Sequence, residues 1–171
     1  MERRELVMAF TYAYSLDNTS GAPIAKDFTV SGYTPKLGDT VTYSAGNVTG
    51  QAAAGTTTVL GVVAGSNFLG LATGGTYAAT NSSTYNPSTL AKVIIDPNAV
   101  YRVPLKGGVA APTVGTAYSL SVVSGDQQLD TGTTGAGGSI YKVIAYDAGA
   151  SNGVANSAGN AFVVITSRTL A

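Results

Sequence analysis

Residues 59–79 read VLGVVAGSNFLGLATGGTYAA, an uncharged stretch whose structure decides the fold class. A membrane-spanning helix needs about 20 predominantly apolar residues, but Ser66, Asn67 and the run Thr73–Thr76 interrupt this one. Its glycines also disfavour a helix, since each costs about 1 kcal/mol relative to alanine in a helix interior. They match no nucleotide-binding loop either, because no G-x-G-x-x-G opens a helix and no glycine precedes Lys-Ser or Lys-Thr. The stretch therefore predicts a buried strand over 57–64 that leaves into a Gly-rich turn.

The same pattern recurs outward from this strand in both directions. Short runs rich in Val, Ile, Thr and Tyr are bounded by Gly, Asn, Asp, Ser or Pro, which is typical of strands separated by turns. Sustained helical periodicity is absent. The sequence therefore predicts an all-β fold, a compact antiparallel β-barrel or β-sandwich. The predicted strands are 24–30, 40–43, 57–64, 91–95, 99–103, 117–123, 140–146 and 161–166, with 7–14 as a further strand or an extended arm.

Two stretches of the chain resemble each other. Residues 38–65 begin GDTVTYSAGNVTG, and residues 115–149 begin GTAYSLSVVSGDQQL. Each starts with a glycine and a short strand, passes through a polar connection containing glycine, and ends in a strand centred on Val-Val or Val-Ile. The pattern predicts one strand–loop–strand unit used twice. Chance similarity within a β-rich chain of low complexity is the alternative.

Length and composition limit the possible functions. A chain of 171 residues predicts one domain, here 21–171, preceded by an N-terminal arm or edge strand over 1–20. Long neutral loops rich in Gly, Ala, Thr and Ser are expected at 65–89 and 147–160. Nine basic residues balance nine acidic ones, which argues against a nucleic-acid partner. The chain has no cysteine and no histidine, so thiolate or imidazole metal sites and Ser-His-Asp catalysis are excluded. We expect no catalysis, cofactor or metal.

The acidic residues are candidates for a catalytic pair or for calcium ligands. Asp126 and Asp130 lie in SGDQQLDTGTTGAGG, which lacks the D-x-[DN]-x-[DN]-G pattern of a calcium loop and its closing glutamate. Aspartate commonly initiates turns in such company, so a turn role is favoured. Asp39 after Gly38 and Asp96 before Pro97 are interpreted in the same way.

Aromatic and basic side chains are candidates for a protein interface. Arg102 and Lys106 flank Pro104, where they either grip a carboxylate of a partner or keep an edge strand from aggregating. The start, MERREL followed by VMAFTYAYSL, is either a frayed terminus or an arm that adds a strand to a neighbouring subunit. The ten tyrosines serve either a sugar-binding face or cores and interfaces. The candidate interface residues are Arg3, Arg4, Phe10, Tyr12, Tyr14, Arg102 and Lys106.

The pattern of turns and strands is similar to a known family. The run PKLGDTVTYSAGNVTG…TTTVLGVVAG resembles the start of the small β-rich decoration, or cement, proteins of tailed-bacteriophage heads. The later run VYRVPLKGG…PTVGTAYSLSVVSGDQQLDTGTTGAGGSIYKVIAYD…NAFVVITSRTL resembles their second half. The resemblance covers roughly residues 30–168 and contains no catalytic signature. The insertion around Ser66–Pro87 and the MERREL start depart from the family pattern.

The resemblance implies a fold and a function. The expected fold is a "β-tulip"-like domain, and the expected assembly is a homotrimer on the outside of the mature capsid. Made in the bacterial host cytoplasm and located on the virion, the protein would clamp neighbouring major capsid protein subunits, without nucleic-acid or membrane partners. A tail-tube or head-fibre subunit and the carbohydrate-binding β-sandwich of an adhesin remain alternatives. A glycosidase that relies on carboxylates alone ranks last.

Overall fold

Every regular element that the structure describes is a β-strand. The computed structural model describes residues 10–17, 23–64, 90–134, 137–148 and 159–169. Within these ranges the chain is all-β, as predicted, with eleven strands and no helix. The strands are β1 (Thr11–Ser15), β2 (Ala25–Thr29), β3 (Thr40–Ser44), β4 (Asn47–Gln51), β5 (Gly61–Ala64), β6 (Leu90–Ile94), β7 (Ala99–Pro104), β8 (Ala117–Val123), β9 (Asp126–Thr134), β10 (Tyr141–Asp147) and β11 (Asn160–Ile165).

The strands form two antiparallel sheets. Sheet A has the order β1-β7-β11-β10-β8-β9, and sheet B has the order β2-β6-β5-β3-β4. Each sheet curls until strands from its two sides meet at one isolated bridge, Leu105 with Leu129 in sheet A and Val30 with Val48 in sheet B. A single bridge is not a continuous ladder, so neither sheet closes into a barrel within the described residues. The barrel alternative is therefore corrected to two open, curled sheets.

The strand quoted at the start is confirmed, although it is shorter than predicted. β5 begins at Gly61, and the preceding residues are irregular apart from the bridge between Val59 and Arg168. The rest of the quoted stretch, 65–79, lies outside the described residues, as does most of each predicted long loop. In the described part of the chain, no helix has the length and apolarity needed to cross a membrane. Two strands, β4 and β9, were not predicted.

The chain uses one five-stranded arrangement twice. β2 to β6, here named repeat one, have the order β2-β6-β5-β3-β4. β7 to β11, here named repeat two, have the order β7-β11-β10-β8-β9, which is the same order strand for strand. β1 belongs to neither repeat and pairs with the outer edge of β7. The structure thus confirms the predicted strand–loop–strand repeat and extends it to five strands.

The two repeats also share single hydrogen bonds. Gly38 ends a Pro-x-x-Gly sequence before β3, and its N–H donates to the carbonyl oxygen of Val63 at 2.9 Å. Gly115 ends the matching Pro-x-x-Gly sequence before β8, and its N–H donates to Val143 at 2.7 Å. Both glycines have positive φ, 81° and 89°, which this turn requires and side chains disfavour. The repeats therefore agree in turn geometry as well as in strand order.

The quoted strand lies between two hydrophobic cores. The main core combines the inner face of sheet A with Phe10 and with Val62 and Ile94 of sheet B. A second core lies inside repeat one and includes Val63. β5 is therefore buried on both faces, which explains its uncharged sequence. At Gly61 even a methyl group would overlap the carbonyl oxygen of Ile94, so this position requires glycine.

Candidate functional site

Of the first three candidate interface residues, Phe10 is described by the structure and the two arginines are not. Arg3 and Arg4 lie outside the described residues. Phe10 is 1% exposed, and its ring centroid lies 6.2 Å from that of Tyr101 and 5.4 Å from that of Tyr141. Phe10 is therefore a core residue of its own chain, and the structure corrects its assignment to a surface contact.

β1 presents its two tyrosines differently because of a β-bulge. Tyr12 pairs with Tyr101 and packs partly buried against the main core. The register shifts between Tyr12 and Tyr14, so Tyr14 pairs with Val100 and is 45% exposed. Of the two alternatives for the N-terminal segment, residues 11–15 form an edge strand within their own chain. Tyr14 is therefore the exposed tyrosine of this pair, and Tyr12 is partly buried.

The basic residues around Pro104 do not lie on an edge strand. Arg102 on β7 pairs with Thr11 on one side and with Phe162 on the other, because β1 covers the edge of β7. Lys106 donates to a carboxylate oxygen of Asp130 at 2.7 Å. The edge-strand interpretation is therefore corrected for Arg102, and Lys106 serves an internal ion pair.

Asp130 is a buried structural carboxylate. Besides Lys106, the hydroxyl of Ser121 donates to it at 2.6 Å and the N–H of Gly132 at 3.0 Å. Burial by itself would raise the pKa of Asp130, but these three donors outweigh it and hold the pKa below its usual value. The bond from Gly132, two residues further on, is the predicted turn interaction. Asp126 starts β9, about 13 Å away at the usual rise of a strand, too far to act with Asp130 as a pair.

Asp39 ties a turn to both repeats. Its carboxylate accepts hydrogen bonds from the hydroxyl of Tyr33, from the amide of Gln51 at 2.7 Å and from the N–H of Lys36 at 3.2 Å. Burial raises the pKa of Asp39, although all three donors favour its charged form. The amide of Gln51 also donates to the carbonyl of Gly125, at the tip of the β8–β9 hairpin. This cluster therefore joins repeat one to repeat two.

Gln127 is a buried structural residue that no sequence pattern indicated. It lies on β9, fully buried, and its side-chain oxygen accepts from the N–H of Thr40 at 2.7 Å. Its amide nitrogen donates to the carbonyl oxygens of Thr40 at 3.1 Å and Ala52 at 2.7 Å. The hydroxyl of Thr40 lies 3.1 Å from that of Tyr141. Nothing in DQQL distinguishes Gln127 from an exposed glutamine, because its partners are far away in the sequence.

The most accessible apolar side chains near β1 form a candidate interface patch. Tyr14, Leu16 and Ile24, here named the β1 patch, are 45%, 54% and 62% exposed. The N–H of Leu16 donates to Asn98, and the carbonyl of Ile24 accepts from Ile95, so Leu16 and Ile24 border the same short connection between β6 and β7. The sequence indicated Tyr14 but not Leu16 or Ile24, because the exposure of these two side chains depends on where β1 and β2 begin and end.

A metal site and a sugar-binding tyrosine face are the remaining candidate sites. In the described ranges, no three acidic side chains gather where they would hold a metal ion. The Tyr33 hydroxyl donates to Asp39, and the Tyr43 ring packs in a T-shaped contact against Phe28 with the centroids 5.6 Å apart, so both tyrosines make contacts within their own chain. Comparison of the chain with known protein families, with curated proteins and with solved structures finds no match.

Proposed function

We propose that the chain is a virion structural protein that binds the outside of a mature tailed-phage capsid and clamps neighbouring major capsid protein subunits. The duplication carries this proposal: two copies of one five-stranded unit share a core within a single chain. Neighbouring subunits of a shell present equivalent surfaces side by side. A rigid block with two equivalent parts is suited to engage two of them, and the second contact then forms at a high effective concentration.

The buried polar network supports a mechanical role. Gln127 joins the two sheets, and Asp39, through Gln51, joins repeat one to the hairpin tip of repeat two. Such fully hydrogen-bonded interior groups resist sliding of one repeat against the other, because any slip leaves buried donors without acceptors. Stiffness is what a clamp needs when it opposes the outward pressure of packaged DNA.

The β1 patch supports the proposal as the contact surface. Its three side chains are apolar and uncharged, and they lie at one end of β1 and β2. Exposed apolar groups of this kind are typical of interaction sites, whose stable form buries on the order of 1,600 Å² in total. Tyrosine in particular supplies area together with a hydroxyl that tolerates partial exposure.

The proposal includes a finer architecture and assembly. The two curled sheets with their shared core form a β-sandwich of the tulip-like kind, and three copies associate on the capsid exterior. The partners are then the major capsid protein and the chain itself, without nucleic acid or membrane. Sedimentation of the full-length protein tests the assembly state: a trimer supports it, and a monomer at all concentrations removes it from the proposal.

The decisive experiment is binding to capsids. Expanded heads that lack the protein are mixed with the purified full-length chain, and bound protein is measured after the heads are pelleted. We expect saturation at a fixed number of copies per head, and heads that withstand heating better than undecorated ones. A folded protein that neither pellets with expanded heads nor occurs in virions would refute the proposal.

A pair of variants makes the test specific to the β1 patch. Leu16→Asp places a charge in the patch, and Val122→Asp places the same charge on an exposed valine near the β8–β9 hairpin tip. We expect Leu16→Asp to weaken head binding at least about tenfold, as for the loss of an interface anchor, and Val122→Asp to leave it unchanged. Rings or filaments seen by electron microscopy would instead identify a tube or fibre subunit, and a signal on a glycan array an adhesin.

A further inference from the structure

Arg168 places a positive charge against the aromatic part of the main core. The segment after β11 is fixed there by hydrogen bonds from the N–H of Thr169 to Val59 at 2.8 Å and from the N–H of Val59 to Ser167 at 3.4 Å. The Nε of Arg168 donates to the carbonyl of Ile165 at 3.5 Å. Its two terminal nitrogens are buried and have no hydrogen-bond partner. Burying a charged donor without an acceptor is among the costliest arrangements in a protein interior.

Tyr101 contributes a third buried donor without a partner. Tyr101 lies on β7 and is fully buried, and its hydroxyl makes no hydrogen bond of ordinary geometry. Arg168 lies close enough to act on the pKa of Tyr101, but burial is the larger effect, so the pKa is raised and the hydroxyl keeps its proton. The three atoms, Tyr101 Oη and the two terminal nitrogens of Arg168, carry more N–H and O–H groups than acceptors. The tyrosine oxygen is the one acceptor among them, and Arg168 acts on it, so most of these donors still lack an acceptor.

The missing acceptor must also balance charge. Arginine keeps its charge under all conditions in which proteins fold, so it cannot relieve its burial by losing a proton. Among the described residues, no carboxylate lies within ion-pair distance of Arg168. Water would satisfy the donors but not the charge. A small monovalent anion satisfies both.

We propose that Arg168 and Tyr101 form a buried binding site for a small monovalent anion of halide size. The anion accepts hydrogen bonds from the guanidinium and the tyrosine hydroxyl, and it joins the segment after β11 to β7. Because these donors are sealed from solvent, the anion enters when the chain folds or when residues 167–169 open. The site goes beyond the proposed function and does not depend on it.

Unfolding by urea tests the site in the full-length protein. The unfolding equilibrium is measured in sodium chloride and in sodium methanesulfonate, mixed to vary chloride at constant ionic strength. If the folded state holds one anion and the unfolded state none, each tenfold rise in chloride above the dissociation constant raises the folding equilibrium constant about tenfold. A folding equilibrium that is independent of chloride would assign the acceptors to water and overturn the proposal.

Three variants locate the effect. Arg168→Met removes the charge and Tyr101→Phe removes the hydroxyl, so we expect the chloride dependence to vanish in the first and to weaken in the second. Arg102→Met removes an arginine from the same sheet at a position paired with Thr11, and should keep the full dependence. An unchanged dependence in Arg168→Met would refute the site.

Bromide provides a test that needs no variant to fold. Wild-type protein is refolded and crystallised in sodium bromide, and anomalous scattering is measured at the bromine edge. A peak beside the Arg168 guanidinium and the Tyr101 hydroxyl confirms the site. Ordered density for both side chains without a peak between them rejects it.

Discussion

Gln127 on β9 recognises the backbone of Thr40 on β3 much as a neighbouring strand would. Its side-chain oxygen accepts from the N–H of Thr40 at 2.7 Å, and its nitrogen donates to the carbonyl of the same residue at 3.1 Å. The two residues belong to different sheets and different repeats. One side chain thus supplies a piece of β-ladder where the two sheets meet.

Replacing Gln127 by leucine should show how much this link between the sheets contributes to the stability of the fold. Leucine leaves the N–H and carbonyl of Thr40 and the carbonyl of Ala52 buried without these partners, so we expect the free energy of unfolding to fall by about 2–4 kcal/mol. Gln127→Glu keeps the acceptor but opposes two carbonyls with a carboxylate. The loss of stability in Gln127→Glu should therefore be smaller in acid, where protonation of the glutamate restores a donor. Urea unfolding at several pH values measures both, and wild-type stability of Gln127→Leu would contradict the link.

The β3–β4 and β8–β9 hairpins each contain a residue other than glycine with positive φ, and a substitution there can reduce the backbone strain. Ala45 and Ser124 occupy the first turn positions of the β3–β4 and β8–β9 hairpins with φ of 48° and 53°. Asparagine tolerates this conformation better than either residue. We expect Ala45→Asn and Ser124→Asn each to raise the free energy of unfolding by about 0.5–1 kcal/mol. Ala111→Asn, at an exposed position without positive φ, should bring no gain.

Two strand glycines should respond differently to the same substitution. Gly61→Ala forces a methyl group onto the backbone of β6, so we expect a loss of about 3 kcal/mol or more. At Gly50 the nearest atom to an added methyl is the hydroxyl of Thr42 at 3.7 Å, an ordinary contact. Gly50→Ala should stay within about 0.5 kcal/mol of wild type. Equal thermal stability of the two variants would contradict the close packing of β5 on β6.

The buried and exposed ion pairs predict different pH dependences. The folded-state pKa of Asp130 is lowered, so its ion pair stabilises the fold above the ordinary aspartate pKa of about 4 and is lost as the pH falls through the folded-state value. We expect Asp130→Asn to cost about 2 kcal/mol at neutral pH, with the difference from wild type narrowing in acid. Asp27→Asn breaks the pair with Lys92 at the surface and should cost less than about 1 kcal/mol. A pH-independent deficit in Asp130→Asn would refute the charge assignment.

Phe10 and Tyr14 allow a core position and a surface position of the N-terminal segment to be compared. Phe10→Ala empties a site between Tyr101 and Tyr141, so we expect a loss of about 3–5 kcal/mol. Tyr14→Ala, in the β1 patch, should cost less than about 1 kcal/mol in the isolated chain. Differential scanning calorimetry of both variants is the measurement. A Phe10→Ala variant as stable as Tyr14→Ala would mean that β1 is not part of the folded domain.

The sequence predicted the strands that carry apolar residues and missed those that do not. β5 and β10 are recognisable from VLGVVA and IYKVIAY, because buried strands must be apolar. β4 and β9 read NVTGQ and DQQLDTGTT, since they are largely polar strands at the sides of their sheets. Ala-Gly and Ser-Gly between short strands were the available signal, as two-residue hairpin turns with glycine in second place.

The hydrogen-bond and ion-pair partners of single polar residues could not be predicted from the sequence, for a different reason. Lys106 and Asp130 are 24 residues apart, and Gln127 and Thr40 are 87 apart. Local patterns contain no information about such pairs, because they arise only when sheet order and curvature are set. The β1 patch has the same origin: Leu16 and Ile24 are exposed because of where β1 and β2 end. The duplicated turns, by contrast, were visible as matching glycine positions.

The position of β1 in the fold has a consequence for synthesis. β1 leaves the ribosome before either repeat, yet its partner β7 follows roughly 90 residues later, which takes about 5–20 seconds at about 5–20 residues per second. During that interval repeat one can pair all of its strands. Residues 10–16, FTYAYSL, carry no charge and contain β1, and they have no strand to pair with until β7 is synthesised. The nascent chain therefore passes through a stage in which an uncharged aromatic segment with an unpaired backbone is accessible to chaperones and to other nascent chains.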